Sequence, residues 1–190
     1  MRMSPNEDTP NAANIVNTYS ESDLARVIRA YGEERYARRI ARAIAERRKI
    51  RPITQTGELA DVVVSALPGA SRRGQAIHSA TRTFQAIRIE VNRELDAIEA
   101  SIPAIVAKLR QNGRICIVSF QSLEDRIVKQ TFRRLSGSCE CPPGLPECRC
   151  GATKTVEVIT RRPIIPTPEE ISANPRSRSA KLRCAERVAA

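Results

Sequence analysis

The chain reads as an α/β protein whose first part is helical and whose second part carries the strands. Three observations predict this. Apolar residues recur at helical spacing across residues 14–66. A short, nearly continuous apolar run, Arg114-Ile115-Cys116-Ile117-Val118-Ser119-Phe120, follows the turn signal Asn112-Gly113. Beyond it the order is helix, strand, strand, which with the preceding helix is the closing pattern of an α/β sheet.

The helical part can be justified element by element. Residues 1–13 are polar and turn-rich and read as a disordered or linker start. Ser20 with Asp23 marks a helix start, a hydroxyl cap with an acid three residues on. Leu24, Val27 and Ile28 form its apolar side. After Gly32 the same period resumes with Tyr36, Ile40 and Ile44 on a segment crowded with arginine; residues 29–51 hold nine basic and three acidic side chains. Thr56 opens a shorter helix with Leu59, Val62 and Val63 inward, and Pro68-Gly69 closes it.

Residues 69–80 read as a basic loop, and 81–111 as a long helix through Phe84, Ile87, Val91, Leu95 and Ile98, which Pro103 breaks or where it begins a second helix with Ile105, Val106 and Leu109. The run 114–120 has the composition of a strand buried on both faces. Ser122-Leu123-Glu124-Asp125 then begins a helix with acids in its first turn, where the helix dipole favours them. A Cys/Pro/Gly loop spans 136–153, an alternating strand covers 155–160, and a last strand lies within 179–188.

Charge and composition narrow the function. Lys+Arg 32 against Asp+Glu 21 gives a net charge of +11. Such a surplus attracts polyanions, and the absence of a long apolar run favours nucleic acid over membrane. Aromatic residues make up 3% with no Trp, which argues against a row of base-stacking platforms. There is no G-x-G-x-x-G and no G-x-x-x-x-G-K-[ST]. A single His, His78, excludes His-based triads and His-rich metal sites by counting. No secretory leader is recognised at Met1, so a reducing cytoplasmic setting is expected for the six cysteines.

Four groups of residues are candidates for chemistry. Ser119, Phe120, Gln121, Ser122, Glu124 and Asp125 sit at the C-terminal end of the predicted strand, where open α/β sheets bind small polar targets; helix capping explains several of the same residues. Arg35, Arg38 and Arg39, the helical stripe Arg82, Gln85 and Arg88, and the loop Arg176, Arg178 and Lys181 suit phosphate contact; solvated basic surface is the competing reading. Cys139, Cys141, Cys148 and Cys150 form two C-x-C pairs able to offer four thiolates to a structural zinc, or else are loop thiols. Cys116 and Cys184 read as small buried hydrophobes.

Four ordered blocks carry a resemblance. They are Tyr31-Gly32-Glu33-Glu34-Arg35 with Ala37-Arg38-Arg39-Ile40-Ala41; Ala80-Thr81-Arg82-Thr83-Phe84-Gln85-Ala86-Ile87-Arg88-Ile89; Ser119-Phe120-Gln121-Ser122-Leu123-Glu124-Asp125-Arg126-Ile127-Val128-Lys129; and Asn174-Pro175-Arg176-Ser177-Arg178-Ser179-Ala180-Lys181-Leu182-Arg183. In these the chain resembles the bacterial small-subunit ribosomal RNA cytosine-N4 methyltransferases of the MraW family. The resemblance implies a partial class I, Rossmann-like methyltransferase sheet (81–190) preceded by a helical substrate-recognition insert (14–80). It also implies S-adenosylmethionine as methyl donor, and ribosomal RNA within the small subunit as partner. No membrane is implied, and a homodimer is a further option. Met1-Arg2-Met3 resembles a stretch internal to the family, so the Gly-rich donor loop is expected upstream and no cofactor-binding residue is assigned within this chain. The family usually has His where Gln121 stands. Gln keeps hydrogen-bonding capacity without carrying a proton at neutral pH, and no residue is assigned as proton acceptor. The alternative is a non-enzymatic RNA-binding protein derived from the helical insert.

Overall fold

The computed structural model describes residues 1, 10–69, 78–139, 141 and 151–188. It divides into two compact units, Met1–Glu94 and Leu95–Ala190.

The first unit is helical: α1 (Ala12–Thr18), α2 (Glu21–Gly32), α3 (Ala37–Ile50), α4 (Thr56–Ala66) and α5 (Thr81–Asn92). Helix α1 begins inside the stretch read as linker, because Asn11 and Asn14 cap each other, each side-chain oxygen accepting the other's backbone N–H at 3.0 and 2.9 Å. Ser20 caps α2 as its sequence predicts, accepting from the Asp23 N–H at 3.0 Å. Ile15, Leu24, Ile28, Ile40, Ile44, Leu59, Val63 and Ile87 close one apolar core. Polar ties fix its margins. Asn17 pairs with both backbone groups of Ile53, each at 2.9 Å. Arg48 donates to the carbonyls of Val16 and Tyr19 at 2.8 and 2.6 Å, closing the end of α1.

Helix α5, read from sequence as the start of the sheet-bearing part, packs on α2 within the first unit. The close approach depends on Gly32: a Cβ there would lie 2.6 Å from the Arg82 carbonyl oxygen. The long helix predicted over 81–111 does not break at Pro103. It breaks at Arg93, which takes a left-handed φ of 49°. Pro103 lies within α6 (Glu94–Lys108). Nine residues into the helix, the proline costs a backbone bond that the packing of Ile102 and Val106 offsets.

The second unit continues with β1 (Arg114–Ser119), α7 (Ser122–Leu135), β2 (Val156–Val158), α8 (Pro168–Ala173), a 3-10 turn (Pro175–Ser179) and β3 (Lys181–Arg187). The three strands order as β1-β3-β2, with β3 antiparallel to both neighbours. Ile102, Val106, Ile115, Val128, Phe132, Val156 and Ala185 form its core. Arg187 Nη1 donates to the Ala107 carbonyl at 2.9 Å and to the Leu109 carbonyl, meeting the open carbonyls at the end of α6.

Two strand expectations need correction. The strand read as buried on both faces alternates instead: Ile115 and Ser119 are buried, while Cys116 and Val118 face outward in this unit. Cys116 is therefore exposed, against the reading as a buried hydrophobe, whereas Cys184 is buried. The strand predicted over 155–160 shortens to Val156–Val158 because Ile159 and Thr160 both turn their N–H groups onto the Cys184 carbonyl, at 3.0 and 3.2 Å.

An ion pair joins α7 to β3. Arg183 Nε and Nη2 donate to the two oxygens of Asp125 at 2.6 and 3.1 Å, with the guanidinium side chain 7% exposed. Hydrogen bonding from Arg183 holds the Asp125 carboxyl below the usual carboxylate range, against the opposing effect of its burial. A carboxylate lowered on folding adds stability above its unfolded pKa and loses it as pH falls through the folded one.

Two stability effects are expected. Gly32→Ala forces α2 and α5 apart and destabilises by about 1–3 kcal/mol in urea unfolding. Asp125→Asn leaves Arg183 uncompensated and costs about 3 kcal/mol at neutral pH. That difference shrinks as unfolding is repeated at pH values down through and below the ordinary carboxylate range.

Candidate functional site

The basic residues of the first unit sort by whether the fold uses them. Arg47 pairs with Glu58, which also receives Arg51 at 3.3 Å, and Arg48 is spent on the carbonyls of α1. Lys49 pairs with Glu46 at 2.8 Å. The C-terminal half of α3 therefore holds structural cations. The N-terminal half does not. Among the described residues, Arg38, Arg39 and Arg42 make no ion pair, nor does Arg29 on α2. Arg38 and Arg42 lie four apart on one helix face. Arg38 also lines a groove shared with Arg26 and Arg29 of α2, which Glu21, Ser22 and Ala25 complete.

Arg35 stands at the start of this face, its guanidinium 4.5 Å over the Tyr36 ring. Glu34, in the same turn, is buried; its Oε1 accepts the Tyr36 N–H at 2.9 Å and its Oε2 lies 3.9 Å from Arg82. The stripe predicted on α5 is more engaged than its spacing suggested. Arg82 faces Glu34, Gln85 reaches the Tyr31 carbonyl at 3.4 Å, and Arg88 pairs with Glu94 at 2.9 Å. Phe84 packs against the core rather than standing free. Sequence reasoning thus singled out Arg38 and Arg39 but passed over Arg29 and Arg42. Spacing alone would pair each with the acid four residues on, Glu33 and Glu46, so only the structure leaves them outside an ion pair among the described residues.

In the second unit, Arg176 and Arg178 project from the 3-10 turn on either side of buried Ser177, whose hydroxyl donates to the Asn174 carbonyl at 2.8 Å. Both arginines are exposed and make no ion pair among the described residues. Lys181 follows, 3.9 Å from Asp125.

The turn after β1 is organised from within. Gln121, not Ser122, is the N-cap residue of α7. Glu124 Oε2 accepts the N–H groups of Phe120 and Gln121 at 3.0 and 3.2 Å. Asp125 is held by Arg183, and Ser119 is buried in the strand pair with Lys181. Phe120 keeps an open face, at 54% exposure. The capping reading of Glu124 therefore holds, and Asp125 is a structural carboxylate.

Cys139 and Cys141 belong to the described residues, whereas Cys148 and Cys150 lie outside them. Among the described residues no group of three or more His, Cys, Asp or Glu side chains is placed to hold a metal. His78 accepts the Ala80 N–H on Nδ1 at 3.2 Å, a local turn contact. No described helix is long and apolar enough to cross a membrane.

The chain is similar along nearly all its length to known proteins. It is 47% identical over 188 residues to the ribosomal RNA small subunit methyltransferase H of Heliobacterium modesticaldum, covering 99% of this chain and 59% of that relative. Identity reaches 54% over 177 residues with the protein of the same name from Caldicellulosiruptor bescii, covering 93% and 57% respectively. A third, from Clostridioides difficile, is 51% identical over 177 residues, with coverage of 93% and 57%. The chain thus spans under three fifths of the length of these relatives. The model of the MraW methylase family matches residues 1–188, and with identities of about half the chain belongs to that family.

Proposed function

We propose that this chain supplies the RNA-facing part of an S-adenosylmethionine-dependent methyltransferase that modifies N4 of a cytidine in small-subunit ribosomal RNA. The observation that carries the reading is a cluster of arginines outside any ion pair among the described residues, Arg29, Arg38, Arg39 and Arg42 on α2 and α3, together with Arg176 and Arg178 before β3. A guanidinium without an internal partner is available for bidentate contact with a phosphodiester. In this reading residues 14–80 are the substrate-recognition insert and the ribosomal small subunit, in the cytoplasm, is the partner.

The sheet supports a class I, Rossmann-like assignment for the second part. Strands β1 and β2 run in the same direction with α7 as the crossover between them, and β3 inserts antiparallel. At the end of β1, exposed Phe120 offers an aromatic face to a base. The cytosine amine has its lone pair delocalised into the ring. Transfer therefore needs the amine positioned in line with the methyl group and its proton accepted. Gln121 is suited to hold the amine by hydrogen bonding, not to take its proton.

The described residues do not fit the donor. The turn after β1 holds Phe120-Gln121-Ser122 and no glycine, and its Phe120 and Gln121 N–H groups already donate to Glu124. We place the donor's site outside the described residues.

Two measurements test the proposal. Binding of a decoding-region RNA oligonucleotide, followed by fluorescence anisotropy, is expected to weaken roughly 50- to 150-fold between about 50 and about 200 mM salt if four phosphates are contacted. Replacing Arg38 and Arg42 with Ala lowers the slope of log K against log salt by about two, while Lys49→Ala leaves it unchanged. A flat salt response contradicts the reading. Equilibrium dialysis of the 190-residue chain against labelled S-adenosylmethionine is expected to show no saturable binding. Saturable binding would move the donor site into this chain.

A further inference from the structure

Cys116 of β1 and Cys184 of β3 stand directly opposite one another, with their Sγ atoms 2.7 Å apart. The backbone dictates this juxtaposition. The Cys184 carbonyl accepts from Ile159 and Thr160, and its N–H donates to Thr160 Oγ1 at 2.8 Å. Both main-chain groups of Cys184 therefore point away from β1. By contrast, Arg187 exchanges bonds with residues 112 and 113 on the β1 side, at 2.9 and 2.8 Å. In an antiparallel ladder the facing direction alternates, so Cys116 and Cys184 form a non-hydrogen-bonded pair. There Cα atoms lie about 4.5 Å apart and side chains come closest. That separation falls within the roughly 4.4–6.8 Å that a disulfide spans.

The two thiols differ in access. Cys116 is exposed and Cys184 is buried. Burial first, then the hydrogen bond with Cys116, pushes the Cys184 thiol up to about 11. The register is held on both sides, by the Arg114–Glu186 ion pair at 2.7 Å and by the Val118–Leu182 pairing. Sliding the strands apart to separate the sulfurs would cost those contacts as well.

We propose that Cys116 and Cys184 are a thiol modification site that consumes a low-molecular-weight disulfide, of the glutathione disulfide class, and becomes a cross-strand protein disulfide. The Cys116 thiolate attacks one sulfur of the small disulfide and expels the other as a thiolate, leaving a mixed disulfide on the exposed strand. Cys184, already in contact, loses its proton to solvent and attacks the Cys116 sulfur, expelling the second small thiolate. Both protein thiols are oxidised and the small disulfide is reduced to two thiols. Because the attacking form is the thiolate, the second step accelerates as pH rises toward the Cys184 value.

The test uses the full chain, reduced and then incubated with glutathione disulfide, alkylated and digested with trypsin. The expected product joins peptides 115–126 and 184–187, is two hydrogens lighter than their sum, and disappears with dithiothreitol. Cys184→Ser should leave glutathione on Cys116. Cys116→Ser should abolish the link while the chain keeps its circular dichroism spectrum. A glutathione adduct that persists on Cys116 in the unsubstituted chain would overturn the proposal. So would a link from Cys116 to Cys139 or Cys141, or no reaction at all at either residue after prolonged incubation at alkaline pH.

Discussion

A guanidinium taken out of water must be met by a carboxylate or by several carbonyls, and in a chain of net charge +11 that requirement organises much else. Arg183 meets Asp125, Arg47 meets Glu58, and Arg48 and Arg187 meet the open carbonyls at the ends of α1 and α6. These pairings place α7 against β3 and set how α1 meets α3. They also decide by subtraction which cations remain for a polyanion. The carboxylates are the scarcer partner, and the arginines without one include those on the first half of α3 and on the 3-10 turn before β3.

The helical unit depends on a second constraint, close approach. Helix α2 ends where Gly32 lets the Arg82 carbonyl come within 2.6 Å of the position a Cβ would take. Glu33 then turns the chain through a left-handed φ, and Glu34 is buried against the next turn. The block Tyr31-Gly32-Glu33-Glu34-Arg35 is thus largely architecture: Gly32 and Glu34 are buried, Glu33 makes the turn, and Arg35 faces outward with Glu33. A motif that carries a family resemblance need not consist of residues that touch the substrate. The same holds for Ser119 to Asp125, in which Ser119, Glu124 and Asp125 hold the turn in shape while Phe120 faces outward.

The strands show how local and long-range terms divide the work. The apolar run of β1 satisfies either a doubly buried or a half-buried strand, because composition carries no information on how many layers cover it. What sets its partner is the alternation of hydrogen-bonding direction along β3. That alternation brings two thiols 68 residues apart into contact and gives Cys184, but not Cys116, a buried setting.

Local signals in the sequence determined the helix starts at Ser20 and at the Glu124–Asp125 turn, the apolar faces through Ile40, Ile44 and Ile87, the strand that begins at Arg114, and the basic character that suits a polyanion. Each rests on interactions within a few residues, such as a cap or a period of 3.6. Only the tertiary structure decided the rest. It moved the helix break from Pro103 to Arg93, where the fold divides into its two units, and shortened the strand at 156–158 through Thr160 and the Cys184 carbonyl. It committed Arg82 and Arg88 to carboxylates while leaving Arg29 and Arg42 outside any ion pair among the described residues. Those outcomes depend on partners distant in the chain, and whether a charge is used up or left available is a property of the partner as much as of the residue.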